Sequence, residues 1–125
     1  MKTNFEHAEP ILRVTNMAAS LKYYVDVLGF RNAHWGTELF TSVNRDGAGI
    51  YLSQGWQGAP GTWVWVGVED VADLYEEYQA TGAKVRLPPA NYPWAYEMQI
   101  EDPDGHVLRF GSEPRAGVPF AEATF

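Results

Sequence analysis

The chain has 125 residues, 46% of them hydrophobic, and no apolar run long enough to cross a bilayer or form a secretory leader. It contains no cysteine, which excludes disulfides, thiolate nucleophiles and sulfur-ligated metals. Sixteen acids against nine bases leave a net charge of −7, which disfavours nucleic acid and membranes as partners and favours a cationic ligand. A soluble cytoplasmic protein is expected.

In chain order, Pro10 leads into a strand over 11–15. Asn16 is placed to cap a helix whose apolar stripe is Met17, Leu21, Tyr24, Val25 and Leu28, stopped by Gly29. Strands over 30–35, 39–44 and 49–53 follow, the last two joined by an Asp46-Gly47 turn. A glycine-rich stretch ending at Gly61 reads as a linker. Trp63, Val64, Trp65, Val66, Gly67 and Val68 then alternate strictly, so the valines take one side of a strand and the tryptophans the other. Asp70 caps a second helix with Val71, Leu74, Tyr75 and Tyr78 on its inner face and Gly82 as its stop. Strands over 84–86, 96–100 and 106–111 complete the series, and the tail after Ser112 is irregular.

The second half repeats the first. Val14-Thr15-Asn16-Met17 returns as Val68-Glu69-Asp70-Val71, an offset of 54 residues (Val14 to Val68), and Asp46-Gly47 returns as Asp104-Gly105, an offset of 58 (Gly47 to Gly105). Units of about 55 residues are too small to bury a good core alone, so two β-α-β-β-β modules are expected to pair around a cleft. The layout is one domain: module 1 over 9–54, linker 55–61, module 2 over 62–113 and a tail over 114–125.

Catalytic signatures are sparse. No glycine-rich phosphate loop precedes a helix, and Ser20, Ser42, Ser53 and Ser112 lack a nucleophile-elbow context. Glu69-Asp70 and Glu76-Glu77 read as capping and solvated helix acids. His7, His34 and His106 lie in separate segments without ligand spacing and read as surface or turn histidines. Glu97, Gln99 and Glu101 share one face of a strand, either as a cleft with a general base or as an outward polar face.

Leu12-Arg13-Val14-Thr15-Asn16, the run from Tyr23 to Phe30, and Asp102-Pro103-Asp104-Gly105-His106 resemble the vicinal-oxygen-chelate superfamily over roughly residues 8–113. The resemblance implies an α+β fold of two tandem βαβββ modules forming a curved mixed sheet with a central cleft. Its enzymes hold a divalent metal with His, Gln or Glu on four inward strands. Those positions fall here on Glu9, Tyr51, Trp63 and Arg109, which do not make a cation site, so no metal and no cofactor is expected.

A closer resemblance, to the bleomycin-resistance proteins, rests on Pro10-Ile11-Leu12, Phe40 through Asp46, Trp63-Val64-Trp65-Val66, Leu74-Tyr75-Glu76-Glu77 and Tyr92-Pro93-Trp94. Members of that family sequester the drug without a metal, stacking its planar bithiazole between aromatic side chains of a dimer. The matching positions are Trp35, Phe40 and Trp94. Trp94 follows a Pro-Pro-Ala-Asn-Tyr-Pro loop that suits a gate. With Tyr51, Trp63, Trp65 and Arg109 these form the expected ligand site, and Trp56 falls near its rim. Arg109 and Arg13 bring positive charge inward, which suits a carboxylate or sulfonate ligand. The resemblance implies a homodimer exchanging its N-terminal arms. The expected function is metal-independent sequestration of a planar aromatic, cationic antibiotic such as bleomycin. The alternatives are a lyase, isomerase or dioxygenase of the superfamily using a divalent metal, and a sensor or interface domain.

Overall fold

The computed structural model describes residues 2–122. Each half of the chain builds its own four-stranded mixed sheet, and the two sheets have the same strand order. In the first, β1 (Ile11–Val14) runs parallel to β4 (Ala48–Gln54). That strand pairs antiparallel with β3 (Phe40–Arg45), which pairs with a short β2 (Arg31–Asn32). In the second, β5 (Trp63–Gly67) runs parallel to β8 (Val107–Ser112), followed by β7 (Tyr96–Glu101) and edge strand β6 (Lys84–Asn91). The class is α+β, and the curved sheet expected from the sequence is divided into two.

Local chemistry sets the helices. Asn16 accepts a hydrogen bond from the Ala19 amide (3.0 Å) to start α1 (Met17–Leu21), and Asp70 accepts from the Asp73 amide to start α2 (Val71–Thr81). Gly82 closes α2 at φ +85°, a left-handed conformation that glycine adopts without Cβ strain. The first helix does not run on uniformly to Leu28. Its backbone opens into a π-helical turn over Lys22–Val27, with the Leu28 amide donating to the Tyr23 carbonyl.

One core serves both halves. Leu12, Val43, Ile50 and Leu52 from the first sheet join Val66, Met98, Ile100, Leu108 and Phe110 from the second, with Tyr24, Leu28 and Tyr78 from the helices. Val64 and Val66 take the core side of β5, as the alternation predicts. Helix tyrosines cross between modules: Tyr24 Oη donates to Asp102 (2.9 Å), Tyr23 Oη to the Glu101 carbonyl (2.6 Å) and Tyr78 Oη to the Leu28 carbonyl (2.8 Å). On the side of the second sheet away from this core, Trp63, Trp65 and Trp94 face solvent.

Several expectations are corrected. His106 closes its turn as expected but is fully buried rather than at the surface. Its Nδ1 accepts from the Thr62 amide (2.9 Å), so Nε2 carries the proton and donates to the Arg13 carbonyl (2.6 Å). Asp102 accepts from the amides of His106 and Asp104, while Asp104 accepts from the amide and hydroxyl of Thr15. The Asp-Pro-Asp-Gly-His turn is therefore a clasp between the halves. Burial pushes the Asp102 carboxyl up from its ordinary value, against the opposing pull of His106 and the Tyr24 hydroxyl. Glu77, partly exposed on its helix, also takes both Nη atoms of Arg45 (2.7 and 2.8 Å), which lowers its pKa. His34 and Trp35 lie in a turn beyond the two-residue β2 rather than in a strand. Pro88 and Pro89 belong to β6, tolerated because this edge strand pairs only with β7 and its register shifts there. The expected gate loop shrinks to a tight turn closed by the Tyr92 amide on the Ala95 carbonyl (2.9 Å). The tail is irregular through Glu122, held by Asn91 side-chain bonds to Arg115 and Val118, and its last three residues lie outside the described ones.

Candidate functional site

The open side of the second sheet carries most of the unusual chemistry. Register sets Trp65 beside Arg109 and Arg109 beside Gln99, while alternation adds Trp63, Glu97 and Glu101 to the same face. Glu97 is 2% exposed and lies at the centre of a fixed cluster. It accepts from Arg109 Nε and Nη2 (2.9 and 2.7 Å) and from Trp94 Nε1 (2.5 Å). The hydrogen bonds that Arg109 donates to Glu97 hold the Arg109 pKa above its ordinary value. Trp94 in turn stacks on Tyr92, ring centroids 5.0 Å apart and planes within 4°.

Two arginines face two indoles. The Arg109 guanidinium lies 5.4 Å from the Trp65 ring centroid, and that of Arg86 lies 4.9 Å from that of Trp63. Arg86 also donates to Gln99 Oε1. Although their neighbours are packed, Trp63, Trp65 and Trp94 are each 46–49% exposed. Flat aromatic surface is thus presented to solvent on a rigid base.

The first sheet presents a second aromatic group. Phe40 and Tyr51 stack at 5.3 Å and 14°, and Trp35 covers both, at 6.2 Å from Phe40 and 6.5 Å from Tyr51. The seven residues singled out in the sequence therefore divide into two sets, Trp35–Phe40–Tyr51 on one sheet and Trp63–Trp65–Trp94–Arg109 on the other. Trp56, expected at the rim, is exposed, and its carbonyl accepts from Arg13 (3.0 Å). Reading the sequence missed Arg86, Tyr92 and the burial of Glu97 and Gln99. The alternation of Glu97 and Gln99 signalled a shared face, but their partners depend on pairing register, which no local motif encodes.

Beside the tryptophan face runs a groove of about 1110 Å³ between the β3–β4 turn and α2, and Trp65 alone of the seven lines it. Its walls carry Glu6, Glu9, Asp46, Glu69, Asp70 and Asp73, while its one arginine, Arg45, is bound to Glu77. The negative charge of the chain is concentrated here.

Residues 4–110 match the family model described as the Glyoxalase/Bleomycin resistance protein/Dioxygenase superfamily. The chain belongs to this superfamily. Among solved structures, the superfamily chain resembles the bleomycin-binding protein from bleomycin-producing Streptomyces verticillus complexed with copper(II)-bleomycin. The two are 24% identical with a TM-score of 0.77, over 89% of this chain and 98% of that one. TioX from Micromonospora sp. ML1 is 22% identical with a TM-score of 0.74, over 87% and 99%. A glyoxalase/bleomycin resistance protein/dioxygenase from Nocardioides is 18% identical with a TM-score of 0.70, over 98% and 93%. At these identities the likeness is one of fold. A comparison with curated protein sequences finds no match.

The superfamily's metal positions can be tested on donor chemistry. Glu9 supplies one carboxylate, already bonded to His7 (2.9 Å); Tyr51 supplies a phenol, Trp63 an indole and Arg109 a guanidinium held by Glu97. No group of three His, Asp or Glu residues able to hold a metal occurs among the described residues. A divalent ion needs converging oxygen or nitrogen donors. These residues do not fit it.

Proposed function

We propose that this protein binds and sequesters a planar aromatic natural product, of the kind used as antibiotics, without a metal. The observation that carries the reading is the open face bearing Trp63, Trp65 and Trp94, half-exposed indoles backed in turn by Arg86, Arg109 and Glu97. Contiguous exposed aromatic surface on a rigid base costs solvation unless a flat partner covers it. The fold likeness to a bleomycin-binding protein supports the same class of ligand. The acidic groove next to Trp65 supports a cationic substituent on that ligand, directed away from the ring-binding face.

The site residues are Trp35, Phe40, Tyr51, Trp63, Trp65, Trp94 and Arg109. A homodimer completes the site, one protomer's Trp35–Phe40–Tyr51 stack facing its partner's tryptophan face, with the arm before Pro10 exchanged. Support comes from the exposure of both aromatic groups and of Phe5 in that arm. Sequestration in the cytoplasm would give the cell resistance, since nothing needs to be turned over.

Calorimetric titration of chelator-treated protein with metal-free bleomycin tests the reading. The expected result is saturation at one ligand per chain, unchanged by added zinc or nickel. Binding or turnover only after metal is restored would instead favour an enzyme.

A further inference from the structure

The tryptophan face has one polar group that its own residues leave unsatisfied. Gln99 is 1% exposed, and its Nε2 has no hydrogen-bond partner. The orientation of the amide is fixed chemically. Arg86 donates to one of its two terminal atoms, and a guanidinium has no acceptor to offer, so that atom is the oxygen and the other is the NH2. Buried donors are almost always paired, and an orphan in a well-packed sheet stands out.

The charge around this donor is also specific. Lys84, Arg86 and Arg109 share the face with two carboxylates, Glu97 and Glu101. Glu97 neutralises Arg109, while Lys84 (2.5 Å) and Arg86 (3.9 Å) divide Glu101 between them, which leaves one positive charge over. The cover over Gln99 is light. Its hydrogen-bond partner Arg86 lies 4.9 Å from the Trp63 ring, and both side chains border solvent.

We propose that the ligand bound at the tryptophan face presents a carbonyl or carboxylate oxygen to Gln99 Nε2, its ring lying against Trp63 and Trp65. This rests on the binding reading above and narrows it. The edge of the planar group carries an oxygen acceptor, neutral or anionic, and any cationic substituent lies elsewhere on the molecule. A hydrogen-bond donor or a cation at that ring edge would meet an amide donor and an excess positive charge.

Three probes sharing one ring decide it: 2-naphthamide, 2-naphthoate and (2-naphthyl)methylammonium, each titrated into 15N-labelled, chelator-treated protein. The Gln99 side-chain amide signals are assigned by their loss in Gln99→Met. The two oxygen-bearing probes should shift those signals together with the indole N–H signals of Trp63 and Trp65. They should bind about tenfold more tightly than the ammonium probe, the usual scale for one well-placed hydrogen bond. Gln99→Met should weaken both oxygen-bearing probes by about fivefold or more and change the ammonium probe by less than about twofold, while the indoles still respond. Indole shifts with static Gln99 signals, or equal binding of all three probes, would overturn this inference and leave the aromatic site standing. No indole shift with any probe would overturn both. The ranking in the unaltered protein needs no variant, so a poorly folding Gln99→Met would not rescue the proposal.

Discussion

Glu97→Gln is the most informative single change at the site. The carboxylate accepts three donors on two oxygens, Arg109 Nε, Arg109 Nη2 and Trp94 Nε1, and glutamine offers one oxygen while turning a donor toward the others. Breaking a fully buried ion pair costs about 3–5 kcal/mol. The Arg109 side chain is 26% exposed and can recover part of its hydration, so about 2–3 kcal/mol is expected here. For 125 residues at about 2.1 cal/mol/K each, the unfolding entropy is about 0.26 kcal/mol/K, and the melting temperature should fall by about 8–11 °C. Thermal unfolding at fixed protein concentration reads the loss, and tryptophan emission of the folded state should change as Trp94 loses its anchor. A fall of less than about 2 °C with unchanged emission would refute the assignment of Glu97 as the base that fixes Trp94 and Arg109.

Three further outcomes follow from the same contacts. Trp94→Ala should abolish ligand binding if the ligand covers the exposed half of the indole; loss of the Glu97 hydrogen bond and the Tyr92 stacking should lower the melting temperature by about 4–8 °C, and a fall beyond about 12 °C would make Trp94 a core residue. Arg109→Glu sets a second carboxylate against buried Glu97 and should lower the melting temperature by about 10 °C or more, with partial recovery on adding Mn2+; no metal-dependent recovery would count against the convergence of the two side chains. Tyr24→Phe removes a hydrogen bond that favours ionised Asp102, so its cost should be about 1–2 kcal/mol at pH 7 and should shrink as pH falls through the raised Asp102 pKa. Urea unfolding at pH 7 and pH 4 checks the sign, and an equal loss at both would place the effect elsewhere.

The fold was legible because its signals are local and doubled. Asn16 and Asp70 cap their helices, Gly82 stops one, and the Trp-Val alternation of β5 sorts core from open face without reference to any distant residue. The misreadings arose where tertiary contacts decide. His106 follows a turn and looks exposed in the sequence, yet the chain folds Thr62 and Arg13 onto its two ring nitrogens. Prolines 88 and 89 read as a loop, but an edge strand needs fewer ladder hydrogen bonds and absorbs them. The candidate site was half legible: single aromatic residues announced themselves by alternation, whereas the pairings Arg86–Gln99, Arg109–Glu97 and Trp94–Glu97 depend on strand register and on which face lies away from the core. The sheet on which each of the seven sits follows from its module, but whether the two sets meet in one cleft could not be read, because that depends on how the modules pack.

The central claim is that indoles on the second sheet bind a flat ligand without a metal. A tryptophan-fluorescence titration of chelator-treated protein with metal-free bleomycin, run beside the Trp63→Ala, Trp65→Ala double variant, tests it most directly. Saturable quenching with sub-micromolar affinity (below about 10⁻⁶ M) in the unaltered protein, and its loss in a double variant that still folds, is the predicted result. A flat titration, or equal affinity in both proteins, would contradict it.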